Sequence, residues 1–274
     1  TGANNVAIGA SALAVAQGSD NVAVGKSAGD AVTTGANNIL MGTDAGGSLT
    51  TGNRNVIVGK DAFSQATTIS DVTAVGFKAL ESAAGTGHTA VGYQAGLDIT
   101  TAVQGTYVGY EAGANLTTGN NNVAIGYGSL GNCSTGTPNV AVGTSALSNA
   151  NGVENVGVGT QVMLDLTTGN YNTAVGNAAG SNITTGTYNV SIGRSANTTT
   201  TTGSFNIMIG PSARPSADNG NSETVVGYNV VGQGNSTFTL GGGTADSSIA
   251  WGATTWTAPS DIRLNIIMVL LLKK

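Results

Sequence analysis

The chain is poor in nearly everything that site chemistry usually draws on. Only 8 % of its 274 residues are charged and 5 % are aromatic, and cysteine and histidine occur once each. A single cysteine, Cys133, rules out an internal disulfide and a thiolate metal cluster, and reads as a filler in a loop. Nine Lys and Arg, scattered singly in a chain of formal charge −5, cannot concentrate the positive potential that follows a phosphate backbone, so nucleic acid is not expected as a partner. The apolar run Ile266 to Leu272 falls well short of the roughly 20 residues that cross a bilayer, so no membrane insertion is expected.

What is abundant is glycine, 43 residues, together with Ala, Thr and Asn, and a Val/Ile pattern too regular for disorder and too widely spaced for collagen. The word Asn-Val-Ala-Ile/Val-Gly returns every 16 or 17 residues. Its first apolar position is Val6, Val22, Ile39, Val56, Thr73, Thr89, Thr106, Val123, Val140, Val156, Thr173, Val190, Ile207 and Thr224. So short a period cannot encode separate domains, and each copy must be one coil of a solenoid. The fold class expected is all-β, a parallel β-solenoid of about 14 coils over residues 1–232, roughly 65 Å long at about 4.8 Å per coil.

Two glycines punctuate each coil. The one that ends the word, Gly9 through Gly227, is present in all fourteen copies and predicts a corner with positive φ or a close backbone approach. The other, four residues before the anchor, is present in twelve and marks a second turn, as in Thr33-Thr34-Gly35. Two short strands are expected between the turns. The first is the Val-Ala-Ile word, and the second is centred on the alanine three residues after the corner, such as Ala28, Ala45 and Ala62, in a narrow interior. Asn precedes the anchor in ten coils, where stacked amides would hydrogen-bond along the rod.

The middle residue of the word reads Ala7, Ala23, Leu40, Ile57, Ala74, Ala90, Tyr107, Ala124, Ala141, Gly157, Ala174, Ser191, Met208 and Val225. With the flanking Val and Ile taken to point inward, this column is expected to point outward. Being almost wholly apolar, it would have to be covered by identical copies, a threefold bundle being the closed arrangement for a fibre.

The repeated word resembles the left-handed parallel β-roll of trimeric autotransporter adhesin heads, over residues 1 to about 232. The resemblance implies an obligate homotrimer exposed outside a cell or virion. Ser260-Asp261-Ile262-Arg263-Leu264 resembles the opening of the intramolecular chaperone domain that ends phage tail spikes and tail fibres. In that family a serine and a lysine five residues on perform self-cleavage. Here that place holds Asn265, so Ser260, Asp261, Arg263 and Leu264 read as a vestigial site and 260–274 as a stump. Residues 233–259, with Phe238, Leu240, Trp251 and Trp256, are expected to cap the rod. The combined expectation is a structural, non-enzymatic phage tail-fibre segment located on the virion. The alternative is a bacterial surface adhesin head, extracellular or at the cell surface.

For attachment, the binding residues expected are Phe77, Tyr93, Tyr110 and Tyr127, which follow the corner glycine in four successive coils. They would stack into a strip suited to a host glycan or protein receptor, or merely shield the corner. His88 stands at an Asn position and reads as a substituted rung, with no metal expected, while Asp44, Asp61 and Glu111 read as solvated charges. Gly241-Gly242-Gly243 lacks the strand-to-helix context of a phosphate loop, and no cofactor is expected. Thr pairs on the turns raise an ice-binding solenoid, but the array is broken near Gly85 and Gly152.

Overall fold

The computed structural model describes residues 2–242, 247–253 and 255. Fourteen strands, β1 (Val6–Ile8) to β14 (Thr224–Tyr228), begin at the fourteen anchors. With β15 (Thr237–Gly242) and β16 (Ser247–Ala250) they form one sheet in strict chain order. Pairing is parallel and in register, as in Val22 with Ile39, Ala23 with Leu40 and Val24 with Met41. The chain is therefore a parallel β-solenoid, with no helix among the described residues. Only the last pair differs: β15 extends the parallel stack, and β16 folds back antiparallel on it. Phe238 and Leu240 lie on β15 and Trp251 just beyond β16, whereas Trp256 and the stretch Ser260 to Lys274 fall outside the described residues.

The corner glycine is required twice over. All fourteen have φ between 124° and 144°, a region that side chains rarely enter. A Cβ on any of them would also lie 1.9–2.8 Å from a carbonyl oxygen or carbon of the equivalent residue one coil on. No smaller spacing between coils is available, because the backbone hydrogen bonds set it.

The second expected strand is absent. Ala28, Ala45 and Ala62 are fully buried as anticipated, but the residues two and four beyond the corner are left-handed, with φ 54° at Ser27, 57° at Gly29, 55° at Lys78 and 53° at Leu80. Alternating αL residues curl the chain into consecutive turns that no extended strand can follow. The curled segment still bonds from coil to coil: Gly29 N–H donates to the Ala45 carbonyl and Gly46 N–H to that of Ala62, both at 3.0 Å. The Thr pairs join the same scheme, Thr50 Oγ1 donating to Thr67 O at 2.8 Å and Thr184 Oγ1 to Thr201 O at 3.0 Å.

The strand faces are the reverse of the sequence expectation. The middle residue is the inward one and is fully buried in Ala23, Leu40, Ile57, Tyr107, Ser191 and Met208, while its neighbours face out, with Ile8 59 % and Met41 41 % exposed. Alternation explains the inversion. The Asn before the anchor and the middle residue lie two apart, hence on one face. Since the Asn column is buried at the second turn, the middle column is buried with it.

Inside, volume is exchanged along most coils; the coil with both Met163 and Leu166 has Gly157 as its middle strand residue instead. Where the fourth residue past the corner is Gly, the seventh is large: Gly29 with Val32, Gly46 with Leu49, Gly96 with Ile99, Gly113 with Leu116, Gly180 with Ile183. Where the fourth is large, the seventh is small: Phe63 with Ala66, Leu80 with Ala83, Leu130 with Cys133, Leu147 with Ala150. A Cβ on Gly29 would meet Leu40 Cδ1 at 2.3 Å, and one on Gly113 would meet Tyr107 Cδ1 at 2.4 Å. The core is thus a set of complementary volumes at close-packed density.

The Asn column uses every polar atom. In the Asn38 side chain, Nδ2 donates to Asn21 Oδ1 at 3.0 Å and to the Gly52 carbonyl at 2.9 Å, and Oδ1 accepts from Asn55 N and Nδ2, each at 3.0 Å. Such buried, saturated amides fix the register between coils.

Gly92→Ala, at φ 144° with the Gly109 carbonyl 2.3 Å from the new Cβ, is expected to lower stability by about 3 kcal/mol or more in urea unfolding. A loss under about 1 kcal/mol would show that the corner geometry is not obligatory.

Candidate binding surface

Four features of the outside surface stand out: two apolar columns on the strands and an aromatic stack along each edge of them. The first strand position is Val or Ile in nine coils and Thr in five; the third is Val, Ile or Met in all fourteen. Both columns face outward from β1 to β14, with Val6 47 %, Ile39 40 %, Val91 39 %, Ile192 39 % and Ile209 38 % exposed. Monomeric proteins rarely expose an apolar strip continuous over so many residues. The face is thus greasier than expected, because it carries the branched residues in place of the alanines.

The four residues expected to bind do stack. Ring centroids are 5.3 Å apart for Phe77 and Tyr93, 4.7 Å for Tyr93 and Tyr110, and 5.2 Å for Tyr110 and Tyr127. Interplanar angles of 16°, 11° and 12° mean that the faces of the two inner rings are covered on both sides. At the Phe77 end, Lys60 Nζ sits 5.6 Å from the ring centroid, a cation on the π face. The Tyr110 phenol is held above its ordinary pKa first by loss of solvent among its neighbours and then by the Glu111 carboxylate. A second stack, Tyr171, Tyr188 and Phe205, with centroids 4.7 and 5.0 Å apart, runs along the opposite edge, two residues before the anchor. Sequence reading missed it, although the same 17-residue step carries the signal. These rings sit at left-handed positions, φ 57° to 61°, where most other coils place polar residues such as Asn4, Asp20, Arg54, Gln104 and Glu154 at similar φ.

His88 is a substituted rung, as its position implied. Nδ1 accepts from Gly105 N–H at 3.1 Å, and Nε2 is 2.9 Å from the Ala102 carbonyl. Only the neutral Nε2–H tautomer satisfies both, reproducing the two ends of the amide it replaces. Burial holds its pKa below the ordinary value. The next rung is Gly105, whose missing side chain makes room for the inward Tyr107: a Cβ there would lie 1.9 Å from the Tyr107 hydroxyl. That hydroxyl is buried without a partner, and burial pushes its pKa well up. Cys133 is a filler in an irregular segment, as read from the sequence, and lies in the core, its Sγ–H donating to Ala150 O at 2.7 Å and its pKa pushed up by burial to about 11.

At the far end of the Asn column stands Glu223, fully buried, whose carboxylate accepts from Ser216 N–H at 3.0 Å and Ser216 Oγ at 2.7 Å. Asp44, Asp61 and Glu111 fall in the left-handed column just past the corner, where Asp61 pairs with Lys60 at 2.5 Å. Ser260, Asp261, Arg263 and Leu264 lie outside the described residues. No family model matches the chain, nor does any curated protein or solved structure.

Two substitutions test the buried polar groups. Tyr107→Phe removes an unsatisfied hydroxyl and is expected to leave stability unchanged or raise it by about 1 kcal/mol in thermal unfolding; a clear loss would reveal a hidden partner. His88 resists protonation when folded, so the unfolded chain takes up a proton first as pH falls below its ordinary value of about 6.5. Stability is therefore present above that pH and declines below it, by at most about 1.4 kcal/mol per pH unit. His88→Asn should flatten that part of the pH–stability curve.

Proposed function

We propose that the chain is a rigid fibre segment that works as a homotrimer outside the cell, extending and attaching a larger assembly to a host surface. The observation that carries this reading is the outward face of β1 to β14, whose third column is Val, Ile or Met in every coil and whose first is Val or Ile in nine of fourteen. An exposed apolar strip of that length is stable in water only when covered, and a surface repeated identically in every chain is most simply covered by a copy of itself. Three copies about a common long axis close the arrangement and leave the aromatic edges and the curled flank facing outward. Three parallel rods also multiply weak surface contacts, so that modest affinities add to firm attachment. Of the two settings, the word Ser260 to Leu264 favours a virion tail fibre over a bacterial adhesin head.

Native mass spectrometry of the purified chain at micromolar concentration is expected to give about 80 kDa, three chains of 26.8 kDa each. Val142→Lys with Val158→Lys should yield folded monomers, since both side chains sit on the outside of the coil and their replacement disturbs no core contact. A wild-type monomer at that concentration would contradict the proposal, as would a trimer indifferent to both lysines.

A further inference from the structure

We infer that the groove beside Tyr127 is a binding site for one or two units of a neutral saccharide. The assignment rests on the attachment reading and narrows it from a strip of four rings to one end of that strip. Face-to-face stacking leaves no room for a sugar on Tyr93 or Tyr110, and the outer face of Phe77 carries Lys60. Tyr127 is the one ring of the four whose outer face meets neither ring nor cation: the column continues with Thr144, and Tyr127 is 56 % exposed against 40 % for Tyr93 and 43 % for Tyr110.

Tyr127 borders a groove of about 360 Å³ that is also lined by Gly128, Gly131, Glu111, Asn115 and Asn132. The volume is at the small end of the range for small-molecule sites, about 300–1,000 Å³. The groove exists because two side chains are missing. Gly128 occupies a left-handed position, φ 59°, but the backbone does not require glycine there. In the other thirteen coils the same place holds Ser, Asp, Lys, Gln, Glu, Ala or Asn at φ 51° to 61°. A Cβ on Gly128 would find nothing nearer than Ser145 Oγ at 3.9 Å, so the space above it is open.

The walls supply what a pyranose needs. Asn115 donates to the Gly131 carbonyl at 2.6 Å and Asn132 to Asn149 Oδ1 at 3.3 Å, which fixes both amides with their own Oδ1 atoms as acceptors for ligand hydroxyls. Gln94 adds donors, and Tyr127 offers an apolar face to the C–H side of a sugar ring. Glu111 is the one ionisable side chain in the lining besides the Tyr127 phenol, and no Lys or Arg is present, so anionic sugars and phosphates are disfavoured. None of the outward Val/Ile residues lines the groove, so covering the strand face leaves it accessible.

The test is a printed array of neutral, amino and sialylated mono- to tetrasaccharides, probed with the full chain, followed by calorimetric titration of the best neutral hit. Gly128→Gln fills the groove with the residue that the chain itself places at the equivalent positions 94 and 161, φ 52° and 53°, so folding is preserved. It should weaken binding at least tenfold without moving the melting temperature. Tyr127→Thr, copying Thr144, should do the same, whereas Tyr93→Thr should stay within twofold. Failure of the wild type to retain any neutral saccharide overturns the site. Binding that survives Gly128→Gln also overturns it while leaving attachment through other surfaces intact, and loss with Tyr93→Thr equal to that with Tyr127→Thr would return the binding to the whole strip.

Discussion

The coil-to-coil hydrogen bond governs this molecule. Parallel strands in register hold successive coils at about 4.8 Å, and whatever occupies a given place in one coil must tolerate the same place directly above and below it. The corner glycines follow from this, since any Cβ there would strike the next coil's corner carbonyl. The buried Asn column follows as well: a side chain that both donates and accepts can bond to its own copies indefinitely, and His88 is accepted because a neutral imidazole presents the same two functions. The aromatic stacks are the outside counterpart, flat groups whose thickness fits the rise.

The same constraint makes the interior thin and the exterior apolar. A coil of 16 or 17 residues encloses little volume, so large side chains enter only where glycine or alanine stands opposite, and Tyr107 enters only by emptying the Asn column at Gly105. The branched residues that parallel strands favour then have nowhere to go but out. A strand of three residues that is apolar on both faces has too little outward polarity for water, which joins the fold of the single chain to the proposed association of several.

The period, the strand starts, the corner glycines, the Asn column and the aromatic stack from Phe77 to Tyr127 were legible in the sequence, because each depends on one residue type recurring at a fixed step. Other features were not read from it. The curled segment after each corner reads as a strand in composition, and only the left-handed φ values at places such as Ser27 and Lys78 remove it; residues that adopt αL under tertiary pressure carry no reliable mark. The facing of the strand was misjudged even though the signal was present. The alanines at 7, 23, 74, 90, 124, 141 and 174 fit a narrow interior by the same reasoning applied to Ala28 and Ala45, and they share parity with the buried Asn. The groove at Tyr127 needed three dimensions, since Gly128, Gly131 and Asn132 of one coil line it together with Asn115 of the preceding coil and Ser145 of the next.

Electron cryo-microscopy of the purified chain tests the central claim most directly, because it shows at once which strand residues face inward and what covers the others. The account predicts a rod of roughly 65 Å in which the alanine column is enclosed and the Val/Ile columns of neighbouring copies interlock along the common axis. A single solenoid with those columns open to water, or a strand turned so that the alanines face outward, would contradict it.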